Sequence, residues 1–318
     1  MKVTEHLKQA GSKTLFSVEI LPPLKGKGIQ SIYEILDPIM EFKPAFVDVT
    51  YHREEYIYKK HPNGLLEKIS MRKRPGTVGI CAAIINHYKI DTVPHIICGG
   101  FSKEETENAL IDLNFLGIDN VLLLRGDAIK SEQAFEPHPM GHQYALDLVQ
   151  QVVNMNKGIY LDEDLNDVSP SGFCIGVAGY PEKHFEAPNL KKDLSFLKAK
   201  IDAGADYIVT QMFFDNAKYF DFVKLCRENG INVPIIPGLK PLTTSKQLSI
   251  LPKIFHVDIP HDLIEMVEQC KSEKEVKQAG IEWCIQQSKE LMAAGVPCLH
   301  YYTMGNAEIT CRIAEKVF

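Results

Sequence analysis

Short, β-branched apolar runs alternate with amphipathic helical stretches along the whole chain, and this alternation restricts the possible folds more than any other feature. Eight such runs predict strands, and their near-continuous apolar character predicts burial on both faces of a sheet. Parallel strands require crossover connections, which the intervening helical stretches supply. The predicted strands cover residues 15–21, 46–51, 93–98, 120–126, 174–180, 207–214, 233–239 and 298–304.

The length of the chain favours one arrangement of these units. Eight strand–helix units in 318 residues match the size of a closed (β/α)8 TIM barrel, which belongs to the α/β class. An open, doubly wound sheet is the alternative. We expect a single domain over residues 1–318, because no linker or repeat divides the chain, with an inserted acidic loop at 157–172 and an extra helix at 255–271.

Local signals predict the ends of three helices. Ser102 and Glu105 have the spacing of a capping box, in which each residue satisfies a backbone N–H of the other at a helix start. Gly117, Gly204 and Gly230 follow amphipathic stretches at positions where a left-handed residue ends a helix.

Composition and charge exclude several classes of protein. The formal net charge of −6 provides no positive field that would attract nucleic acid. The amino-terminal segment lacks the apolar region of a signal peptide, and no window approaches a membrane span. Eight cysteines are scattered without a C-x-x-C pair, mostly inside apolar runs, as free thiols are in a reducing compartment. We therefore expect a cytoplasmic protein that binds neither nucleic acid nor membranes.

Polar residues recur at the carboxyl ends of the predicted strands, where barrel enzymes carry their active sites. Glu19 is unusual, because it interrupts the apolar run "FSVEILPP". Alternation places Ser17 and Glu19 on one strand face, which in a barrel could be the interior. Burial there would raise the pKa of Glu19, as a proton donor at neutral pH requires; a structural ion pair is the alternative. The other strand-end residues are Thr50, His95, Arg125, Asp127, Tyr180, Gln211 and Tyr302.

Further stretches carry reactive side chains, each with a structural alternative. "LLLRGD" at 122–127 fits either a strand-ending turn with a local ion pair or a site. "AGYPEKHFEAPN" at 178–189 contains histidine and glutamate without metal-ligand spacing, so we expect no metal. The amide of Gln211 suits the edge of a heterocycle, although a buried amide bonded to backbone is commoner. "GKGIQS" at 26–31 lacks the third glycine of a dinucleotide fingerprint, so a bound nucleotide would not use a Rossmann motif.

Eight segments, taken in order, resemble the methylenetetrahydrofolate reductases. They follow the order and spacing of that family from about residue 12 to the carboxyl terminus. Short motifs such as "RGD" are not specific by themselves, and the resemblance depends on the whole series. The segments are "FSVEILPP", "FVDVTY", "PHIIC", "LLLRGD", "AGYPEKHFEA", "DAGADYIVTQMFFD", "IIPGLKP" and "LHYYTMGNAE".

This resemblance implies a (β/α)8 barrel that binds FAD non-covalently and reduces 5,10-methylenetetrahydrofolate to 5-methyltetrahydrofolate. A nicotinamide nucleotide, NADH or NADPH, reduces the flavin and leaves before the folate is reduced, and NADH is the commoner donor among short bacterial-type members. The resemblance also implies a cytoplasmic homo-oligomer, a dimer or tetramer, that acts in one-carbon metabolism and methionine supply. The regulatory domain of animal members is not expected within this chain.

The resemblance assigns roles to individual residues. Glu19 matches the general acid that helps the five-membered ring of the folate to open to an iminium. Asp127 matches the second catalytic residue, an aspartate near both flavin and pterin. Gln211 and Gln247 match substrate-side glutamines, and Thr50 a threonine on the nucleotide side. The implied FAD contacts are Tyr51, His95, Arg125, Gly126, Asp127, Ala145, Tyr180, His184, Ala187, Asp193 and Lys200, with Tyr144 as a neighbour.

Some positions depart from the family pattern. His52 and Arg53 follow "VTY", where relatives often have small residues. Phe196 and Ala199 replace a polar and a basic FAD contact. Asn306 stands where many members have an arginine that can meet the glutamate tail of the folate. We expect these changes to affect nucleotide and tail binding rather than the ring chemistry.

Two other functions are compatible with the same residues. Another barrel enzyme acting on pterins, such as a flavin-free lyase or a methyltransferase, would contain no flavin. A flavin- or folate-binding barrel without turnover would hold a flavin that nicotinamide nucleotides do not bleach.

Overall fold

The computed structural model describes residues 1–129, 132 and 134–318. Its helices are α1 (Val3–Ala10), α2 (Gln30–Met40), α3 (Thr77–Tyr88), α4 (Lys103–Phe115), α5 (Ala145–Met155), α6 (Leu190–Asp202), α7 (Asn216–Glu228), α8 (Gln247–Phe255), α9 (His261–Glu268), α10 (Glu273–Ala293) and α11 (Ala307–Val317). Its strands are β1 (Leu15–Ile20), β2 (Phe46–Val49), β3 (Glu55–Lys60), β4 (Leu66–Met71), β5 (Asp91–Ile97), β6 (Asn120–Leu124), β7 (Cys174–Gly179), β8 (Tyr207–Thr210), β9 (Ile235–Ile236), β10 (Gly238–Leu239) and β11 (Cys298–Tyr302).

Nine of the strands form one parallel sheet, in the order β10-β11-β1-β2-β5-β6-β7-β8-β9. β9 pairs with β8 and β10 pairs with β11, while only Pro237 separates β9 from β10 in the chain. Because proline has no N–H to donate, β9 and β10 are two halves of one interrupted strand. The sheet therefore curls into a ring of eight strand positions. This confirms the predicted (β/α)8 barrel and excludes the open sheet.

Local sequence signals are confirmed at several helix ends. At the start of α4 the Ser102 hydroxyl accepts from the Glu105 N–H at 3.1 Å, and the Glu105 carboxylate accepts from the Ser102 N–H at 2.8 Å. Gly117, Gly204 and Gly230 all have positive φ just beyond their helices. The cysteines are free thiols, as expected. No helix of the described chain is long and apolar enough to cross a membrane.

The extents of some predicted elements differ from the structure. The strand predicted at 207–214 ends at Thr210. Phe213 and Phe214 are apolar because they pack under the surrounding helices, beyond the end of the strand. The extra helix predicted at 255–271 is the shorter α9, whereas residues 157–172 contain no helix or strand and are largely exposed, as the predicted loop requires.

An antiparallel hairpin formed by β3 and β4 was not expected from the sequence. It lies between β2 and α3, and its pairing runs from Glu55 opposite Met71 to Lys60 opposite Leu66. Most of its side chains are exposed, so it lacks the apolar alternation that marks a half-buried strand. The hairpin is thus an addition to the barrel that contributes little to its core.

The interior of the ring is packed separately from the layer between ring and helices. Phe46, Val93, Leu122 and Tyr207 fill the interior, and Val3 and Leu7 of α1 pack against this cluster. The Val3 N–H donates to the Asn120 side chain at 2.7 Å, at the first residue of β6. Helix α1 therefore closes the amino-terminal end of the barrel and leaves the carboxyl end open.

Replacing Leu7 with alanine tests this closure. Leu7 is only 8% exposed, so the substitution leaves a cavity at the base of the ring. We expect the free energy of unfolding to fall by about 2–5 kcal/mol in chemical denaturation. Leu65→Ala in the hairpin turn, at 66% exposure, is the control and should change stability by less than about 0.5 kcal/mol. Equal losses in the two variants would contradict the assigned role of α1.

Candidate active site

The open end of the barrel carries a row of polar side chains on neighbouring strands. Glu19 of β1 is paired in register with Asp48 of β2 and with Tyr302 of β11. Ser17 lies one alternation lower on β1, where its hydroxyl contacts His300 Nδ1 at 2.9 Å. These side chains all enter the ring, because alternate residues of each strand face the interior. The predicted orientation of Glu19 is therefore correct.

Glu19, Asp48 and His95 form a compact cluster in this interior. His95 Nε2 lies 3.6 Å from Glu19 Oε2 and 3.4 Å from Asp48 Oδ2. The Asp48 side chain is fully buried and His95 is 5% exposed, whereas Glu19 keeps 16% exposure toward the mouth. Glu19 is thus the member of the cluster that a molecule in the mouth could reach.

Burial governs the proton affinities of this cluster. Desolvation raises the pKa of Glu19 to about 7, with His95 acting in the opposite direction and the Asp48 charge in the same direction. Desolvation also raises the pKa of Asp48 to about 7, against a smaller effect of His300. Burial lowers the pKa of both His95 and His300. The lowered pKa values favour the uncharged form of both histidines, and at neutral pH Glu19 is partly in its acid form.

Sequence analysis missed Asp48 and His300. Both lie in apolar strands, in "FVDVTY" and "CLHYYTM". Alternation along β2 would have placed Asp48 on the same strand face as Phe46, an interior residue. The sequence therefore contained the alternation that places Asp48 on the interior face, but it did not show which strands would be neighbours.

A second cluster surrounds the end of β6. Arg125 forms an ion pair with Glu186 and lies over the Phe135 ring, 4.8 Å from its centroid. Burial raises the pKa of Tyr180, and the Asp127 charge acts in the same direction. "LLLRGD" and "AGYPEKHFEA" therefore meet in space, as parallel strand ends require.

Helix α6 supplies the outer part of this cluster. The Tyr180 and His184 rings meet edge to face at 4.8 Å, and the His184 N–H donates to Asp193 Oδ2 at 2.9 Å. Lys200 Nζ donates to the Ala178 carbonyl at 2.8 Å. Burial lowers the pKa of Lys200 to about 8, with Asp193 opposing the shift. A lysine held in this way remains mostly cationic at neutral pH.

His52 connects the two clusters. Burial makes the largest contribution to lowering the pKa of His52, and the charges of Arg74 and His95 lower it further. The charge of Asp127 raises it. His95 also lines a cavity of about 400 Å³, together with Tyr51, Arg72, Thr77 and Phe101. The Tyr51 and Phe101 rings pack edge to face at 5.0 Å.

The remaining predicted residues form no hydrogen bond or ion pair with Glu19 among the described residues, and their partners are local. Gln211 Oε1 accepts from the Met212 N–H at 2.9 Å, and Gln247 Oε1 accepts from the Thr243 N–H at 2.7 Å. Thr50 follows β2, and its hydroxyl is buried without a hydrogen-bond partner among the described residues. Tyr144 and Ala145 begin α5, and Ala187 is buried beside Lys183, which donates to its carbonyl at 2.8 Å.

The raised pKa of Glu19 predicts a gain in stability for Glu19→Gln. A carboxyl whose pKa is higher in the folded state costs stability when it is ionised, so the cost is absent below about pH 4.5 and complete above about pH 7. Since each pKa unit is worth about 1.4 kcal/mol, the variant should exceed the wild type by on the order of 2–3 kcal/mol at about pH 8. The difference should shrink as the pH falls through neutrality.

Chemical denaturation at several pH values measures this difference. Glu34→Gln, on the exposed face of α2, is the matched control and should follow the wild type throughout. A destabilised Glu19→Gln protein at alkaline pH would show that Glu19 is held by a stabilising ion pair, as in the structural alternative.

Comparisons with known proteins identify the family of the chain. The methylenetetrahydrofolate reductase family model matches residues 2–317. "Methylenetetrahydrofolate reductase (NADH) 1" from Arabidopsis thaliana is 33% identical over 316 residues, which cover 96% of this chain and 48% of that protein. "5,10-methylenetetrahydrofolate reductase" from Pectobacterium carotovorum is 29% identical and is covered to 94% of its length, with 99% of this chain.

One solved structure supports the fold. It is an uncharacterized protein from Clostridium thermocellum that binds two copies of 5-methyl-5,6,7,8-tetrahydrofolic acid, with a TM-score of 0.55, 18% identity and 98% of each chain covered. The chain spans about half the length of the eukaryotic relatives that it matches, such as 48% of the Arabidopsis protein. The family model nevertheless covers nearly every residue of it. The chain belongs to the methylenetetrahydrofolate reductase family.

Proposed function

We propose that this protein reduces 5,10-methylenetetrahydrofolate to 5-methyltetrahydrofolate, with FAD as cofactor and NADH as electron donor. Family membership supports the reaction class. The observation that carries the proposal within the chain is Glu19, a carboxyl at the mouth of a barrel whose pKa burial raises to about 7. A group with that pKa can hold a proton at neutral pH and release it during turnover.

Glu19 supplies the proton for the folate half-reaction. Opening of the five-membered ring of the folate needs a proton on the departing ring nitrogen, because an unprotonated amide-like anion is a poor leaving group. The carboxyl of Glu19 faces the mouth, while Asp48 and His95 lie below it and are almost fully buried. Only Glu19 of these three is placed to give a proton to a molecule in the mouth.

The residues around β6 and α6 fit FAD. Gly126, in the turn after β6, has a positive φ of 84°, a backbone conformation that glycine adopts without strain. Arg125 and the half-buried Lys200 offer positive charge for a pyrophosphate, and Tyr180 offers an aromatic face. The partner of Arg125, Glu186, is 38% exposed, so the ligand can displace it. When bound, FAD accepts a hydride from the donor and passes it to the folate.

Four further residues are assigned to the binding of folate and of the nicotinamide nucleotide. The charge of Asp127 acts on the pKa values of both Tyr180 and His52, and we assign Asp127 as the second catalytic residue, beside flavin and folate. Gln211 extends from the end of β8 and Gln247 from the start of α8, and we assign both to the folate side. Thr50, with its unpartnered buried hydroxyl in the described chain, is assigned to the nucleotide side.

Two of the departures from the family pattern, Arg53 and Asn306, have structural explanations. Arg53 is held by an ion pair with Glu132 and packs against the backbone of Gly99 and Gly100. Asn306 caps α11 by accepting from the Ile309 N–H at 3.4 Å. Asn306 thus serves the fold, and we propose that the glutamate tail is bound weakly at this position.

The choice of donor follows the plant relative, whose name specifies NADH. We also propose that the protein works as a homo-oligomer. The two alternatives, a binding protein without turnover and a flavin-free pterin enzyme, are separated from this proposal by whether a bound flavin is reduced.

The absorption spectrum of the purified protein with FAD tests the proposed cycle under anaerobic conditions. We expect the flavin band to bleach with NADH faster than with NADPH and to return when methylenetetrahydrofolate is added. A band that neither nucleotide bleaches would favour a binding protein. A protein that takes up no flavin would contradict the proposal.

Glu19→Gln separates the two half-reactions. The variant should bind FAD and accept electrons from NADH at near wild-type rates, but its folate half-reaction should slow by about 10²-fold or more, because an amide cannot supply the proton. Stopped-flow absorbance under single-turnover conditions measures each step. Glu182→Gln is the matched control, since Glu182 is another half-buried glutamate with its pKa raised to about 7, and its carboxylate faces Asp258 outside the mouth. Normal folate reduction by Glu19→Gln would rule out the assigned role.

A further inference from the structure

We propose that Asp48 is a positioning residue for Glu19: the two carboxyls share a proton beside the single nitrogen of His95, and the charge of Asp48 keeps Glu19 in its acid form. This inference rests on the proposed role of Glu19 as proton donor and adds a group that does not itself reach the mouth. Asp48 is fully buried, directly opposite Glu19 in the register of β1 and β2.

The geometry at His95 makes the two carboxyls compete. One nitrogen, Nε2, lies 3.4 Å from Asp48 Oδ2 and 3.6 Å from Glu19 Oε2. An uncharged imidazole carries at most one hydrogen on that nitrogen, so it can favour one carboxylate at a time. The other carboxyl must then hold its own proton or remain charged in a poorly solvated space. Two carboxyls in this situation titrate as a coupled pair rather than independently.

Within the described chain, only histidines oppose the charge of Asp48: His95 lies beside it, and His300 acts against the rise in its pKa. Among the described residues, no lysine or arginine forms an ion pair with either carboxyl. Asp48 Oδ1 accepts no hydrogen bond from a described residue, and His300 Nε2 and the Tyr207 hydroxyl, both buried, are likewise without partners. Buried polar atoms normally have hydrogen-bond partners. The absence of partners for these three atoms among the described residues therefore points to an electrostatic role for this site rather than a packing role.

Titratable groups face Glu19 and Asp48 from each of the strands, loops and helices that surround them. Tyr302 of β11 faces Glu19, and its pKa is raised by burial and by the charges of Glu19 and Asp48. His52 faces His95 from the loop after β2. Around Asp48 the titratable neighbours on the barrel and on α3 are His300, Tyr207, Cys298 and Cys81. At neutral pH none of these neighbours provides a fixed positive charge, because burial lowers the pKa of the histidines.

Removal of the Asp48 charge therefore has a definite direction. A negative neighbour makes ionisation of Glu19 harder, so Asp48→Asn should lower the pKa of Glu19. The alkaline limb of the folate half-reaction should move to lower pH by about one unit, which is about tenfold in rate at pH 8 and less than about threefold at pH 6. Reduction of the flavin by NADH does not use the Glu19 proton and should keep its pH dependence.

Two measurements on Asp48→Asn test this inference. The first is the pH profile of the single-turnover folate half-reaction. The second needs no substrate: infrared difference spectra follow the carboxylic acid C=O band of Glu19, assigned by its loss in Glu19→Gln, as the pH is raised. Asp206→Asn is the matched control, because Asp206 is a half-buried aspartate with a raised pKa at the opposite end of the barrel, accepting from the Ile175 N–H at 2.7 Å. Asp48→Ser takes the place of Asp48→Asn if the amide variant does not fold.

The expected result is a Glu19 band that disappears at lower pH in the Asp48 variant than in the wild type and in Asp206→Asn, together with the shifted folate profile. An unchanged Glu19 titration would overturn the inference. A folate rate reduced by the same factor at every pH would also overturn it, because a purely structural role of Asp48 predicts that uniform loss. If the wild type reduces no folate, the proposed function fails, and the infrared titration still decides whether Asp48 controls Glu19.

Discussion

The closed ring of parallel strands confines the side chains at its carboxyl end to one small, poorly hydrated space, and the chemistry of the mouth depends on that confinement. In an open sheet, Glu19 could be solvated and would ionise as an ordinary carboxyl. In the ring it meets Asp48 and His95 from the next two strands, within 3.6 Å of the shared imidazole nitrogen. Burial raises the pKa of Glu19 to about 7, against the opposing effect of His95 and with a smaller contribution from the charge of Asp48.

The two ends of the same ring differ: the amino-terminal end mainly stabilises the fold, and the carboxyl end carries the candidate functional residues. At the amino-terminal end, α1 packs on the apolar interior cluster, and the buried Asn120 side chain accepts from the Val3 N–H. At the carboxyl end, buried carboxyls and orphaned polar atoms cost stability that this packing must offset. Natural sequences follow local folding preferences almost everywhere and depart from them mainly at functional sites. The lone glutamate in "FSVEILPP" is such a place.

Most of the fold could be predicted, because strand and helix patterns are local. The alternation of apolar runs gave the strand positions, and capping residues gave helix ends such as that at Ser102. The hairpin of β3 and β4 was missed, since exposed strands show no apolar alternation. The run at 207–214 was taken as too long a strand, because Phe213 and Phe214 are apolar for packing against helices. Glu19 could be predicted as an interior residue from the period of a strand alone.

What the sequence by itself determined is the buried strands, the helix ends marked by capping residues, the family, and the strand face on which Glu19 lies. Only the tertiary structure decided which strands are neighbours, because closure of the ring brings residues 19, 48, 95 and 300 together from distant parts of the chain. A pKa depends on distance and burial, neither of which is a local property. The sequence could therefore name an unusual glutamate, but the partner that controls its proton became visible only in the folded barrel.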